Sequence, residues 1–354
     1  MSSGLSAFVC TPRQTRKFIL RCMVSGLVVF IQSSPAMGKS AIVGSIAQEY
    51  NLEMIDHRLS TSAPEDLTGL PKLGEYFARF LPFEMFPVEG TPLPEGKSGW
   101  LLFLDEFNSA PKMVQAAAYK LVLDRMVGQY KLHPNVIIVC AGNLSTDRAI
   151  VNPISTAMQS RLVHLTMELN HREFMEDVAF KQHWDSRIIA FLNYKPGLLH
   201  DFRPDHNDKT FCAPRTWEFL NKLIKGRPVL EEEAPLYAGT ITSGVAVDFI
   251  QFTKVYENLP KFETIIKDPE GTTLPGDPPT RYATVTHLIE FVSDGDFDQV
   301  ATYVNRLPLE FRVLFFRGLL VQKPELKKHQ AFRKAMVELS RHLHDTIEDD
   351  AAAA

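Results

Sequence analysis

Four cysteines in 354 residues, Cys10, Cys22, Cys140 and Cys212, are few and far apart. No CxxC pair occurs, which argues against a zinc site and a disulfide framework and fits a reducing compartment. Cys140 lies in an apolar run and reads as a small buried hydrophobe. Long apolar stretches are also missing. The run from Leu27 to Ile31 falls far short of the roughly twenty residues that a membrane helix needs. A signal-peptide arrangement is absent as well, because Arg13, Arg16, Lys17 and Arg21 crowd against that short run. The expectation is a cytoplasmic protein with no membrane contact. Neither sign of charge is in excess: 38 basic and 42 acidic residues give a formal charge of -4. That balance points away from general attraction to nucleic acid, while leaving room for a local basic surface. No internal repeat is visible, and the length supports a large core and more than one domain.

What is present is an alternation of buried strands and helices. Arg13 to Met23 reads as an amphipathic helix, Leu27 to Ile31 as a buried strand and Lys39 to Tyr50 as a helix. Further strands are expected at Leu52 to Ile55, Trp100 to Leu104, Val136 to Ala141 and Leu162 to Leu169, with a helix over Val114 to Asp124 and a small hairpin over Met126 to Leu132. Strands separated by helices imply a parallel sheet covered on both faces. The stretch from Ser60 to Gly99 is irregular and rich in proline and glycine, with a helical segment expected over Leu73 to Leu81; loops of this length tend to be functional or mobile. After Glu168 the pattern turns helical: Phe174 to Trp184, Arg187 to Leu192, Pro214 to Leu223, Val245 to Glu257, Val285 to Val292, Pro308 to Leu320 and Pro324 to Ile347. The proline-rich run Asp268 to Pro279 reads as an exposed loop.

Two motifs carry chemistry. Ser33-Ser34-Pro35-Ala36-Met37-Gly38-Lys39-Ser40 sits between a strand and a helix and matches the phosphate-loop pattern except at its first position, where Ser33 replaces glycine. The loop from Ser34 to Ser40, at a helix start, can wrap phosphate oxygens with its backbone N–H groups, Pro35 lacking one. Lys39 can reach the outer phosphates of ATP, and Ser40 can supply an oxygen to Mg2+. The second motif is the apolar strand Leu101 to Leu104 ending in Asp105 and Glu106. Asp105 is expected to hold the magnesium and Glu106 to orient and polarise the attacking water, with this strand lying beside the phosphate-loop strand.

From about Gly26 to Phe219 these motifs, in this order, resemble the MoxR-like AAA+ ATPases. The family's first and fourth loop glycines are Ser33 and Ala36 here. Its acidic pair is matched by Asp105 and Glu106, followed by Phe107-Asn108-Ser109-Ala110-Pro111. The resemblance implies that Asn143, in Ala141-Gly142-Asn143, is a polar sensor of the γ-phosphate or attacking water. It implies that Arg161, in Met158-Gln159-Ser160-Arg161, is an arginine finger toward a neighbouring subunit, with Arg148 as a second candidate across that interface. It implies that Arg215, in Cys212-Ala213-Pro214-Arg215-Thr216-Trp217, is a second sensor. The implied fold is α/β: an AAA+ P-loop domain over residues 1–168, with a parallel five-stranded sheet sandwiched by helices, a helical lid domain over 169–260 and a C-terminal helical extension over 261–354. The implied function is ATP hydrolysis, with ATP and Mg2+ as cofactors, driving chaperone-like remodelling or maturation of a client protein. The implied assembly is a homo-oligomer, a hexameric ring, with a separate von Willebrand factor A domain protein as a partner. The 60–99 region and the 126–132 hairpin fall where this family meets its pore or client. Two other readings are a nucleotide-responsive scaffold with little turnover and a nucleic-acid-associated motor.

Overall fold

The computed structural model describes residues 9–147 and 151–340. By packing the chain forms two units, one ending at Leu169 and the other beginning at Asn170.

The first unit is built on a parallel sheet. Its six strands are β1 (Val9–Cys10), β2 (Val29–Ser33), β3 (Leu52–Arg58), β6 (Gly99–Asp105), β9 (Val136–Asn143) and β10 (Val163–Met167), and two hairpins, β4–β5 (Leu70–Leu73 with Ala78–Leu81) and β7–β8 (Met126–Val127 with Tyr130–Lys131), complete the count. The order across the sheet is β1-β10-β2-β9-β6-β3, all parallel. The chain from β3 to β9 thus lies on one side of β2, while β10 and β1 lie on the other. Reversal of direction at β2 opens a crevice beyond the carboxyl ends of the central strands, where open α/β sheets hold their ligands.

Alternation along the central strands divides the core in two. Phe30, Leu102, Leu104, Ile138 and Cys140 face one way and pack with Val114, Ala118 and Leu121 of helix Lys112–Leu123. Val29, Ile31, Leu101, Phe103, Val139 and Ala141 face the other and pack with Ile19 of helix Pro12–Val24 and with Val43, Ile46 and Ala47 of helix Lys39–Glu49. Burial on both faces is why these strands read as unbroken apolar runs. The first helix opens with a reciprocal cap: Gln14 N donates to Thr11 Oγ1 and Thr11 N donates to Gln14 Oε1, with Pro12 at its start.

The structure differs from the sequence expectations in three places. The sheet has six strands rather than five, because Val9–Cys10 pairs with β10 through the register Val9↔Thr166 and Cys10↔Met167; two residues are too short to show a period. The acidic strand β6 does not lie beside β2: β9 separates them, pairing with β2 on one edge and β6 on the other. The segment Leu73 to Leu81 is a hairpin and not a helix, closed by Gly74 N donating to Phe77 O at 2.8 Å.

The second unit is mainly helical over its described residues, with helix Ser186–Tyr194, helix Pro214–Ile224, helix Ser243–Thr253, helix Pro278–Phe291 and helix Leu309–Gln322 among its longer elements. Phe191, Trp217, Phe249 and Phe252 form an aromatic cluster at its centre. Helix Pro278–Phe291 packs on helix Ser186–Tyr194, so the segments 169–260 and 261–354 share packed helices. Arg148 and the segment 341–347 lie outside the described residues. Among the described residues no helix is long and apolar enough to cross a membrane.

Candidate functional site

The loop after β2 turns directly into helix Lys39–Glu49. Ala36 and Gly38 have φ of +61° and +85°, whereas Pro35, Met37 and Lys39 keep the ordinary sign. Such alternation turns successive N–H groups to one side and forms an anion-binding concavity. Gly38, at the N-cap, makes no side-chain hydrogen bond to the first turn, and a helix start of this kind is suited to an anion. Ala36 adopts the left-handed conformation at the place where the resembled family has glycine, at a cost of about 1 kcal/mol.

Lys39 is 9% exposed, and its Nζ donates to Ser33 Oγ at 3.0 Å, Ser33 O at 3.2 Å, Ser34 O at 3.4 Å and Asn143 Oδ1 at 3.5 Å. The contact with Asn143 follows from the sheet, because Ser33 and Asn143 are register partners at the ends of β2 and β9. Ser40 Oγ donates to Asp105 Oδ2 at 3.4 Å, reaching past the end of β9 to β6. Three strand ends and one helix start therefore bring Lys39, Ser40, Asp105 and Asn143 together.

Glu106 follows Asp105 with φ of +55°, a conformation uncommon outside glycine. It is held by Glu106 N donating to Asp105 Oδ1 at 2.8 Å and by Ser109 N donating to Glu106 O at 2.9 Å. Its carboxylate accepts a hydrogen bond from the Ser60 hydroxyl. Nearby, burial first and then the charge of Asp105 push the Asp56 carboxyl up, with Glu106 adding to the effect and Arg58 and His57 opposing it. One hydroxyl and one carboxylate, Ser40 and Asp105, are hard oxygen donors suited to Mg2+, which commonly takes one or two carboxylates together with substrate phosphates. Among the described residues no group of three or more His, Cys, Asp or Glu side chains could hold a metal by itself.

Two contributors were not singled out from the sequence. Ser60 lies in an irregular stretch, and only the fold brings it to Glu106. Asn108 is buried and clasps the end of β9: its Nδ2 donates to Asn143 O at 2.8 Å, and Asn143 N donates to its Oδ1 at 3.0 Å. An asparagine three residues after the acidic strand end was the available signal.

Two arginines remain. Arg161, in the first unit, is exposed, with Nη1 donating to Tyr119 Oη at 2.7 Å and Ala157 O at 3.0 Å, and its guanidinium lies over the Tyr119 ring. Arg215 belongs to the second unit, exposed on the first turn of helix Pro214–Ile224.

No family model matches the chain, and no curated protein does. Among solved structures it is similar to NtrX from Brucella abortus, at 13% identity over 96% of this chain and 68% of that one with a TM-score of 0.38. It is also similar to the RuvB Holliday junction branch migration motor of Thermotoga maritima, at 14% identity over 84% of this chain and 90% of that one with a TM-score of 0.35.

Proposed function

We propose that this chain is a MoxR-like AAA+ ATPase that hydrolyses ATP with Mg2+, works in the cytoplasm as a homo-oligomeric, hexameric ring, and uses the cycle to remodel or mature a client protein. The observation that carries the reading is the 3.4 Å approach of Ser40 Oγ to Asp105 Oδ2, beside the buried ammonium of Lys39. Phosphate-loop chemistry requires these groups together, and they come from separate parts of the chain.

In this reading the backbone of Ser34, Pro35, Ala36, Met37, Gly38, Lys39 and Ser40 cradles the phosphates, with proline contributing shape and no N–H. Lys39 meets the outer phosphates, and Ser40 and Asp105 would hold the magnesium. When bound, the metal supplies charge neutralisation on the phosphates. Glu106 orients and polarises the attacking water, while Asn143 contacts the γ-phosphate or that water. Arg161 reaches the site of the neighbouring subunit, and Arg215 acts as the second sensor.

A separate von Willebrand factor A domain partner belongs to the same reading. The β4–β5 hairpin is assigned to the client. Leu73, Tyr76 and Phe77 on it are 82%, 81% and 79% exposed, and clustered exposed apolar side chains are a mark of interaction sites.

Phosphate release with magnesium, measured beside nucleotide titration, tests the proposal. Lys39→Ala should weaken ATP binding by about tenfold or more. Glu106→Gln should keep ATP bound and lower kcat by about a hundredfold or more. Unchanged binding in the first variant and an unchanged rate in the second would dismiss the assigned roles. A second reading, a nucleotide-responsive scaffold with little turnover, takes its ground from the departure at Ser33, where the phosphate-loop pattern has glycine. ATP-dependent assembly without phosphate release would select it.

A further inference from the structure

Ser33 departs from the phosphate-loop pattern, and its hydroxyl is engaged. It is the last residue of β2 and is fully buried. Its Oγ donates to Ser34 O at 3.0 Å, which commits its hydrogen and leaves its lone pairs to accept. It accepts from Lys39 Nζ at 3.0 Å, nearer than the ammonium's contacts with Ser33 O, Ser34 O and Asn143 Oδ1. An ammonium has three N–H donors. These four oxygens already outnumber them, and a phosphate oxygen has to compete for a share. Burial of both side chains keeps water from weakening the contact. Glycine at this position would offer the backbone carbonyl but not the hydroxyl.

We propose that Ser33 is a positioning residue that holds Lys39 back on the end of β2 and so weakens nucleotide binding. The inference rests on the nucleotide-binding reading above. It concerns the ammonium alone, and its effect should therefore appear in binding and not in the chemical step.

The test uses two substitutions, Ser33→Ala and Ser33→Cys. Cysteine nearly keeps the volume at this buried position, but its sulfur is a weak acceptor. The Kd of a non-hydrolysable ATP analogue with magnesium is measured for each, together with kcat and KM for ATP. Both variants should bind the analogue more tightly, and show a lower KM, by up to about tenfold. Their kcat should stay unchanged, since the contact is lost before both the ground-state complex and the transition state. In a Lys39→Ala background, Ser33→Ala should shift analogue affinity by less than about twofold. Unchanged or weaker affinity in both variants, with wild-type binding that still depends on Lys39, would overturn the restraint and leave the nucleotide reading standing. Tightening by alanine alone would also overturn it, because volume and not the acceptor would then be responsible. Wild-type protein whose analogue binding is absent or independent of Lys39 would overturn both.

Discussion

Glu106 and Lys39 share a feature: the working end of each meets a serine hydroxyl, Ser60 for the carboxylate and Ser33 for the ammonium. A hydroxyl that donates to a carboxylate draws it toward the donor and holds it there, away from other partners. Ser60→Ala should therefore raise basal kcat, by about two- to tenfold, with KM unchanged. Steady-state phosphate release over a range of ATP concentrations measures both quantities. A fall in kcat would mean that Ser60 aims Glu106 at the water instead of restraining it.

At the scale of elements, the end of β9 depends on a close approach. A Cβ on Gly142 would lie 2.2 Å from Asn108 Oδ1 and 2.9 Å from Phe30 Cε2. Gly142→Ala must push the Asn108 clasp away and shift Asn143 with it. The expected cost is about 1–3 kcal/mol of stability, with a lower kcat. Urea unfolding and phosphate release read the two effects; full stability and a full rate would show that the clasp can give without consequence. The long elements were legible in the sequence because their burial is periodic or continuous: Val29 to Ile31, Leu101 to Leu104 and Val136 to Ala141 are buried on both sheet faces, and the helices that cover them carry apolar stripes. The hairpin was not. Leu73, Tyr76, Phe77, Phe80 and Leu81 have helical spacing, but a helix of that length is marginal without a surface to bury its stripe, and Gly74 inside it weakens it further. All five side chains are exposed, so no such surface exists for them among the described residues. Strand order was also out of reach. Local pattern says that β6 is a buried strand, but pairing with β9 on one edge and β3 on the other is decided by the whole sheet. The loop and the acidic pair were legible because each is a short contiguous run; Ser60 and Asn108 act across the fold, where spacing in sequence says little.

At the scale of the whole molecule, one chain supplies a cluster around Lys39 and, elsewhere on its surface, an arginine engaged with Tyr119. If Arg161 completes a neighbour's site, Arg161→Ala should keep nucleotide binding and lose hydrolysis by about a thousandfold. The most direct measurement is complementation. Arg161→Ala protein is mixed with Lys39→Ala protein, neither of which should turn over ATP alone, and native mass spectrometry verifies that mixed assemblies form. In a mixed ring an intact Lys39 on one subunit can face an intact Arg161 on the next. An arginine finger that acts across the interface should restore phosphate release in the mixture, in proportion to those junctions. Full activity of pure Arg161→Ala protein, or of wild-type protein shown to be monomeric while it hydrolyses ATP, would contradict it.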